Sequence, residues 1–255
     1  MMSPHGQHRA PQDADHTTDH RVEADRTSSN QGGGTFDRNV PSKGRSEATA
    51  QKSISDSEFD KAYTSGRPPW DIGQPQPAFV ALAESGRITG KVLDVGCGTG
   101  ENALFLCQRG LDVLGLDLSS VAIAEARMKA QARGVLARFV AGSAQDLLSL
   151  EETFDTVIDS GLLHVLSNAD RARLVAGLHA VLRPGGYLHL LAFNEHATWP
   201  GPRRLTQAEI RSTFQQGWEV DAISTSHFKV VDGSGGAEAW LAAIRRLPAP
   251  PASSP

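Results

Sequence analysis

The stretch Val92-Leu93-Asp94-Val95-Gly96-Cys97-Gly98-Thr99-Gly100 constrains the chain more than any other. It opens as an apolar strand and passes into a turn with glycine at every second position. Glu101-Asn102-Ala103-Leu104-Phe105-Leu106 follows and has the pattern of a helix start. Glycines in such a turn let the backbone approach a ligand closely, and the helix presents unpaired N–H groups to it. A strand, a glycine turn and a helix form the first unit of a parallel α/β sheet, whose ligands bind beyond the carboxyl ends of the strands.

The sequence downstream repeats that alternation. Strands are expected over 91–95, 112–117, 137–141, 156–159 and 187–193. A helix over 121–133 is capped by Ser119 and closed by Gly134, and one over 170–182 is stopped by Arg183-Pro184-Gly185-Gly186. Thr206-x-x-Glu209 is a capping box opening a helix to Phe214, and 219–224 and 239–244 are expected as the last strands. Upstream, Ser55-x-x-Glu58 opens a helix carrying Phe59, Ala62 and Tyr63 that stops near Gly66. The four prolines of Arg67-Pro68-Pro69-Trp70-Asp71-Ile72-Gly73-Gln74-Pro75-Gln76-Pro77 make an extended segment, and 78–84 is a short helix. The expected fold is α/β, a Rossmann-like three-layer sandwich with a mostly parallel, roughly seven-stranded sheet. Asp94, Asp117, Gly142 and Asp159 then share one rim.

Composition sets the surroundings. Residues 1–52 are poor in apolar side chains and rich in Ser, Asp, His, Gln and Gly, so a disordered polar tail is expected there. The folded domain is expected over 53–247, and 248–255 as a flexible Pro/Ser tail. A net charge of -4 without a basic stripe points away from a nucleic-acid partner. No apolar run approaches the ~20 residues of a membrane span, and residues 1–50 hold no apolar core of a signal peptide. Two cysteines, Cys97 and Cys107, suit a reducing, cytoplasmic setting. No metal-ligand constellation occurs, so no metal is expected.

Two residues bear on the ligand of the glycine turn. Glu101 stands where the third glycine of a dinucleotide fingerprint would be, and a carboxylate there would repel a pyrophosphate. A ligand with a sulfonium and an amino-acid moiety suits the loop better. Asp117, ending the second strand, can accept both ribose hydroxyls of a nucleoside and fits NAD and S-adenosylmethionine equally.

VLDVGCGTGENALFL and VLGLDLS resemble motif I and the acidic loop of class I S-adenosylmethionine-dependent methyltransferases, and LRPGGYLHLLAF resembles their later strand–turn–strand signature. The resemblance spans about residues 55–247 and implies S-adenosylmethionine as cofactor. It implies that Gly96, Gly98 and Gly100 shape the methionine pocket with Cys97 and Asn102, and that Asp94 orients that loop. It gives Asp117 the ribose, Leu118 a flank of the adenine, and Ser143 and Ala144 the adenine edge. Asp159, Ser160 and Gly161 would line the methyl-transfer channel. Ser143 departs from the aspartate of many relatives, and Asp146 is the candidate substitute.

RPPWDIGQPQP is similar to the segment of thiopurine-type, halide/thiol and actinobacterial heterocycle methyltransferases in which the tryptophan, here Trp70, packs near the cofactor. A cation–π contact, a hydrophobic wall and a plain core anchor are all open for it. The resemblance implies methyl transfer to O, N or S of a small molecule, first an aromatic heterocycle or phenol. A halide/thiol methyltransferase and a non-catalytic cofactor-binding regulator stand as alternatives. His164 is the candidate to take the acceptor's proton, or else a helix-face histidine bonded to the backbone. Trp199-Pro200-Gly201-Pro202 is an acceptor lid or a surface loop. Cys97 reads as a loop filler, and His179, His189, His196 and His227 as structural or exposed.

Overall fold

The computed structural model describes residues 56–231 and 235–249. The expected tail over 1–52, Ser55 of the first capping box and most of the 248–255 tail lie outside the described residues.

Seven strands form one sheet. In chain order the elements are α1 (Asp56–Thr64), α2 (Pro77–Glu84), β1 (Lys91–Val95), α3 (Glu101–Gln108), β2 (Asp112–Asp117), α4 (Ser120–Arg133) and β3 (Arg138–Ala141). They continue with β4 (Phe154–Ser160), α5 (Asn168–Val181), β5 (Leu182–Phe193), α6 (Gln207–Thr213), β6 (Trp218–Phe228) and β7 (Ala237–Arg246). The strand order is β3-β2-β1-β4-β5-β7-β6. β1 to β5 run parallel, and β7 is antiparallel to both β5 and β6.

The central strands are buried on both faces, and their successive side chains go to alternate layers. Leu93 and Val95 of β1 face Leu174 and Leu178 of α5, whereas Val92 faces Leu104 of α3 and Ile123 of α4. Two apolar layers therefore sandwich the sheet, the three-layer arrangement expected of a parallel sheet buried on both faces. Local chemistry sets the helix ends. Ser119 Oγ accepts the Ala122 N–H, Gly134 closes α4 in the left-handed region, and Thr206 and Glu209 form a reciprocal capping box on α6.

Three boundaries differ from expectation. β5 starts at Leu182 rather than 187, because Phe154 pairs with Leu182 and Thr156 with Tyr187. Arg183-Pro184-Gly185-Gly186 is thus an irregularity within a paired strand, where a proline that cannot donate to the ladder is tolerated. β6 and β7 outrun their expected ranges because they pair with each other along most of their length. The 3₁₀ turns Leu147–Leu150 and Leu163–Val165 had no sequence signal.

Candidate cofactor and acceptor pocket

A cavity of about 600 Å³ opens where β1, β2, β4 and β5 end. On its first side the chain approaches with backbone. The Gly96 and Cys97 N–H groups donate to Leu116 O at 2.8 and 3.0 Å, tying the glycine turn to β2. Gly96, Cys97, Gly98 and Asn102 line the wall. Gly100 stands behind it as the N-cap of α3 and, lacking a side chain, leaves the first-turn N–H groups of that helix without a side-chain cap.

Three carboxylates crowd this rim. Asp117 Oδ2 accepts the Gly98 N–H at 2.8 Å and Oδ1 the Ser119 N–H at 2.9 Å. Each oxygen keeps lone-pair capacity for a hydroxyl. Burial raises the Asp117 pKa above the ordinary carboxylate range against those two bonds. Asp94 is fully buried behind the turn, and neither of its oxygens has a hydrogen-bond partner. Burial pushes its carboxyl up to about 8, with repulsion from Asp117 adding; the Ala103 amide opposes this without reaching a full hydrogen bond.

Asp159 departs from its expected place in the channel. Its buried carboxylate accepts the Leu162 N–H at 2.7 Å and the Leu163 N–H at 3.1 Å, bracing the Leu163–Val165 turn instead of forming wall. Burial raises its pKa to about 7. Ser160 and Gly161, next in the chain, do line the cavity.

The residues present fit a ligand bearing sulfonium and ammonium charges and a ribose diol. The Asp94 oxygens are orphaned and those of Asp117 half used, neither acid has an ion-pair partner among the described residues, and a bound cation would draw the buried Asp94 carboxyl back to its charged form. The expectation placed the repulsion of a pyrophosphate on Glu101, and that is corrected. Arg133 binds Glu101 through two bonds of 2.8 and 2.9 Å, and Lys129 lies 3.1 Å from it, so its charge is neutralised locally. Asp117, which lines the cavity and is not ion-paired among the described residues, carries the argument instead.

The proline-rich segment is stitched across the turn. Asp71 is buried, accepts the Thr99 hydroxyl at 2.8 Å, and Lys129 Nζ donates to that hydroxyl at 2.6 Å. Asn102 Oδ1 accepts the Gln76 N–H at 2.9 Å, so this carboxamide oxygen serves the segment. Gln76 in turn exchanges two 2.9 Å bonds with the backbone of Lys229. Trp70 joins the wall, its Nε1–H donating to Tyr63 Oη at 3.1 Å. Tyr63 Oη stands 2.9 Å from where a Gly98 β-carbon would be, and Gly98 has φ +54, so only glycine suits the position. Leu118, Ser143 and Ala144 line the wall as expected residues of the adenine side. Asp146 does not, and Gln145 takes that place.

The opposite side is aromatic. Phe193 touches His164, Phe228 and Trp199 with ring centroids 4.9, 5.3 and 5.7 Å apart. The loop Trp199-Pro200-Gly201-Pro202 lines the cavity beside them. Arg204 holds that loop by donating to the carbonyls of Ala197, Trp199, Gly201 and Pro202. His164 lies in this wall, but its surroundings deny it the role of a base. Nδ1 already accepts the Phe193 N–H at 3.1 Å. Burial, with the charges of Arg171 and Arg204 adding, lowers its pKa to about 3.

The sequence profile of the methyltransferase domain family matches residues 92–186. The chain is 36% identical over 162 residues to the 2-heptyl-1-hydroxyquinolin-4(1H)-one methyltransferase of Mycobacteroides abscessus, covering 62% of this chain and 71% of that protein. The chain belongs to the S-adenosylmethionine-dependent methyltransferases. Among solved structures, the Burkholderia thailandensis 1,6-didemethyltoxoflavin-N1-methyltransferase, with its substrate and S-adenosylhomocysteine bound, superposes with a TM-score of 0.61 at 25% identity. That match covers 76% of this chain and 87% of the other. A protein solved in work on converting a disulfide bond into a thioacetal group during echinomycin biosynthesis superposes with a TM-score of 0.69 at 40% identity, covering 76% and 93%.

In this methyltransferase the structure brings all but three of the expected cofactor residues to one cavity wall; Asp94, Gly100 and Asp159 lie behind it. Sequence reasoning missed Tyr63, Phe193, Phe228 and the Asp71–Thr99–Lys129 relay. Tyr63 was visible only as part of a helical apolar face, Phe193 only as a strand end, and Phe228 lay beyond the expected strand 219–224. Among the described residues no group of His, Cys, Asp and Glu could hold a metal ion, and no helix is long and apolar enough to cross a membrane.

Proposed function

We propose that this methyltransferase alkylates an O, N or S atom of an aromatic heterocycle or phenol, and that it works in the cytoplasm without a nucleic-acid partner. The carrying observation is that one cavity joins an acidic, backbone-built side to an aromatic side. The relative from Mycobacteroides abscessus, named for a hydroxyquinolone, supports the acceptor class. The free thiols of Cys97 and Cys107 support the compartment.

When bound, the cofactor supplies a sulfonium-activated methyl group. Asp117 would accept the ribose hydroxyls, and the Gly98 and Ser119 N–H groups hold its oxygens in place to do so. Leu118 and Ala144 would flank the adenine, with the Ser143 hydroxyl at its edge. Gly96, Cys97, Gly98 and Asn102 would bound the methionine portion, Gly100 shaping the turn and the Asp94 carboxylate countering positive charge from behind. Trp70 would form wall beside Tyr63. Ser160 and Gly161 sit where the two sides meet, and Asp159 fixes the turn that follows. The rings of Phe193, Phe228 and Trp199 orient a flat acceptor and exclude water, and such positioning can supply roughly 7–11 kcal/mol of a barrier. A weakly acidic phenol or N-hydroxy group releases its proton to solvent, so His164 need not act as base.

The test incubates the protein with S-adenosylmethionine and a panel of phenols, N-hydroxy heterocycles, thiols and iodide, reading S-adenosylhomocysteine release. Turnover of a phenol or N-hydroxy heterocycle is expected. Turnover of thiol or iodide alone would replace this reading with halide/thiol methylation. Tight cofactor binding without turnover of any acceptor would favour a non-catalytic regulator.

A further inference from the structure

One polar group in the aromatic wall has its chemistry fixed by a backbone neighbour. Because His164 Nδ1 accepts the Phe193 N–H, the neutral imidazole carries its proton on Nε2. Nε2 faces Gly161: a β-carbon there would stand 3.0 Å away, and glycine at φ +84 leaves that space to the cavity. Among the described residues nothing accepts from Nε2. The ring is held 4.9 Å from Phe193 and 6.0 Å from Phe228, and His164 is only 4% exposed. A ligand in this half of the cavity therefore meets ring faces and a fixed N–H donor.

We propose that His164 determines acceptor specificity: its Nε2–H donates a hydrogen bond to an acceptor oxygen other than the atom that is methylated. The preferred acceptor is then a flat ring system with a ring carbonyl conjugated to its nucleophile. This rests on the reading of the cavity as a site for aromatic acceptors. A donor on the nucleophilic lone pair would blunt it. A donor on a conjugated carbonyl stabilises the negative charge that spreads there when the N-hydroxy or phenolic proton leaves. An acceptor without that oxygen leaves a buried N–H unpaired, which a closed site penalises. Thiols and halides have no second atom to offer.

The experiment compares two bicyclic acceptors of similar size, 1-hydroxyquinolin-4(1H)-one and 2-naphthol, in the wild type, His164→Asn and His164→Gln. The asparagine oxygen can still accept the Phe193 N–H but cannot reach where Nε2 stood, whereas glutamine returns an amide N–H near that place. Calorimetric binding of S-adenosylhomocysteine reports that each variant is folded.

The wild type should prefer the quinolone in kcat/KM by roughly tenfold or more. His164→Asn should erase most of that preference, and His164→Gln should restore part of it. The pH dependence of kcat should keep its shape in His164→Asn, since a neutral donor does not titrate in the working range. Equal use of both acceptors by the wild type overturns the inference whatever the variants do. So does an unchanged ratio, or a parallel loss of both activities, in folded His164→Asn. Turnover of neither acceptor by the wild type would instead defeat the acceptor-class reading, and the inference with it.

Discussion

The cofactor side of the cavity is built from loops at the ends of β1 and β2, where backbone N–H groups and the carboxyls of Asp94 and Asp117 dictate what can bind. The acceptor side is built from rings delivered by the 3₁₀ turn after β4, the end of β5, the loop beyond it and the end of β6. A backbone-built site demands particular residue types at fixed spacing, because only glycine allows the approach and only a short acid reaches the hydroxyls. A wall of rings asks only for apolar bulk of the right shape, which many sequences can supply from many places. The first kind of site resists change, and the second is where acceptor preference can drift.

Phe193→Ala should produce the largest effect. Phe193 is buried against three rings, and truncation should cost about 3–5 kcal/mol of stability in denaturant unfolding. In the folded fraction the acceptor KM should rise while S-adenosylhomocysteine affinity holds. If cofactor affinity falls with it, the two sides are not separable.

Next comes Glu101→Gln, which tests whether every acid near the turn belongs to the site. Removing the charge leaves Lys129 and Arg133 facing each other without their shared carboxylate. A loss of about 1–3 kcal/mol in stability is expected, tempered because Arg133 is partly solvated. Glu101 lines the cavity but its charge is taken up by Arg133 and Lys129, so cofactor affinity should stay nearly constant; a selective loss of affinity would show that Glu101 also holds the cofactor.

Asp117→Ala is expected to weaken S-adenosylmethionine binding by more than tenfold, ~1.4 kcal/mol, in isothermal titration. Its effect on acceptor KM should be slight. Unchanged cofactor affinity in a folded variant would remove Asp117 from the ribose site and leave it as a brace for Gly98 and Ser119.

The same division explains what the sequence could reveal. Val92 to Gly100 and Asp117 were legible because their chemistry is local: apolar run, glycine spacing, strand-end acid. Helix limits at Ser119, Gly134 and Thr206 were legible for the same reason. Glu101 was misread because its partners, Arg133 and Lys129, lie a full strand and helix away. His164 was recognisable as a candidate, but the sign of its chemistry depends on the Phe193 N–H, which pairs with it only once β4 and β5 lie side by side. Nothing in the sequence distinguishes Phe193 from other strand-end apolar residues, and Phe228 falls outside the strand expected over 219–224.

The smallest expected change in affinity is also the most direct probe of the acidic side. Asp94 and Asp159 titrate near about 8 and about 7 in the folded chain, held up chiefly by burial, against about 3.9 when unfolded. Between those values the folded state binds more protons than the unfolded one. Their contribution to stability is therefore fully present below about pH 3.9 and is lost as pH rises through 7 and 8. The cofactor-free protein should accordingly lose melting temperature progressively from about pH 5 upward and level off above about pH 8. The same ionisation strengthens the field at the glycine turn, so affinity for S-adenosylmethionine should increase with pH by less than tenfold, under ~1.4 kcal/mol. S-adenosylhomocysteine shares every group except the methyl and its sulfonium charge, so its affinity should rise less. Identical pH profiles for the two ligands would show that the buried carboxylates do not sense the sulfonium. The acidic side would then select the cofactor through Asp117 and the backbone alone.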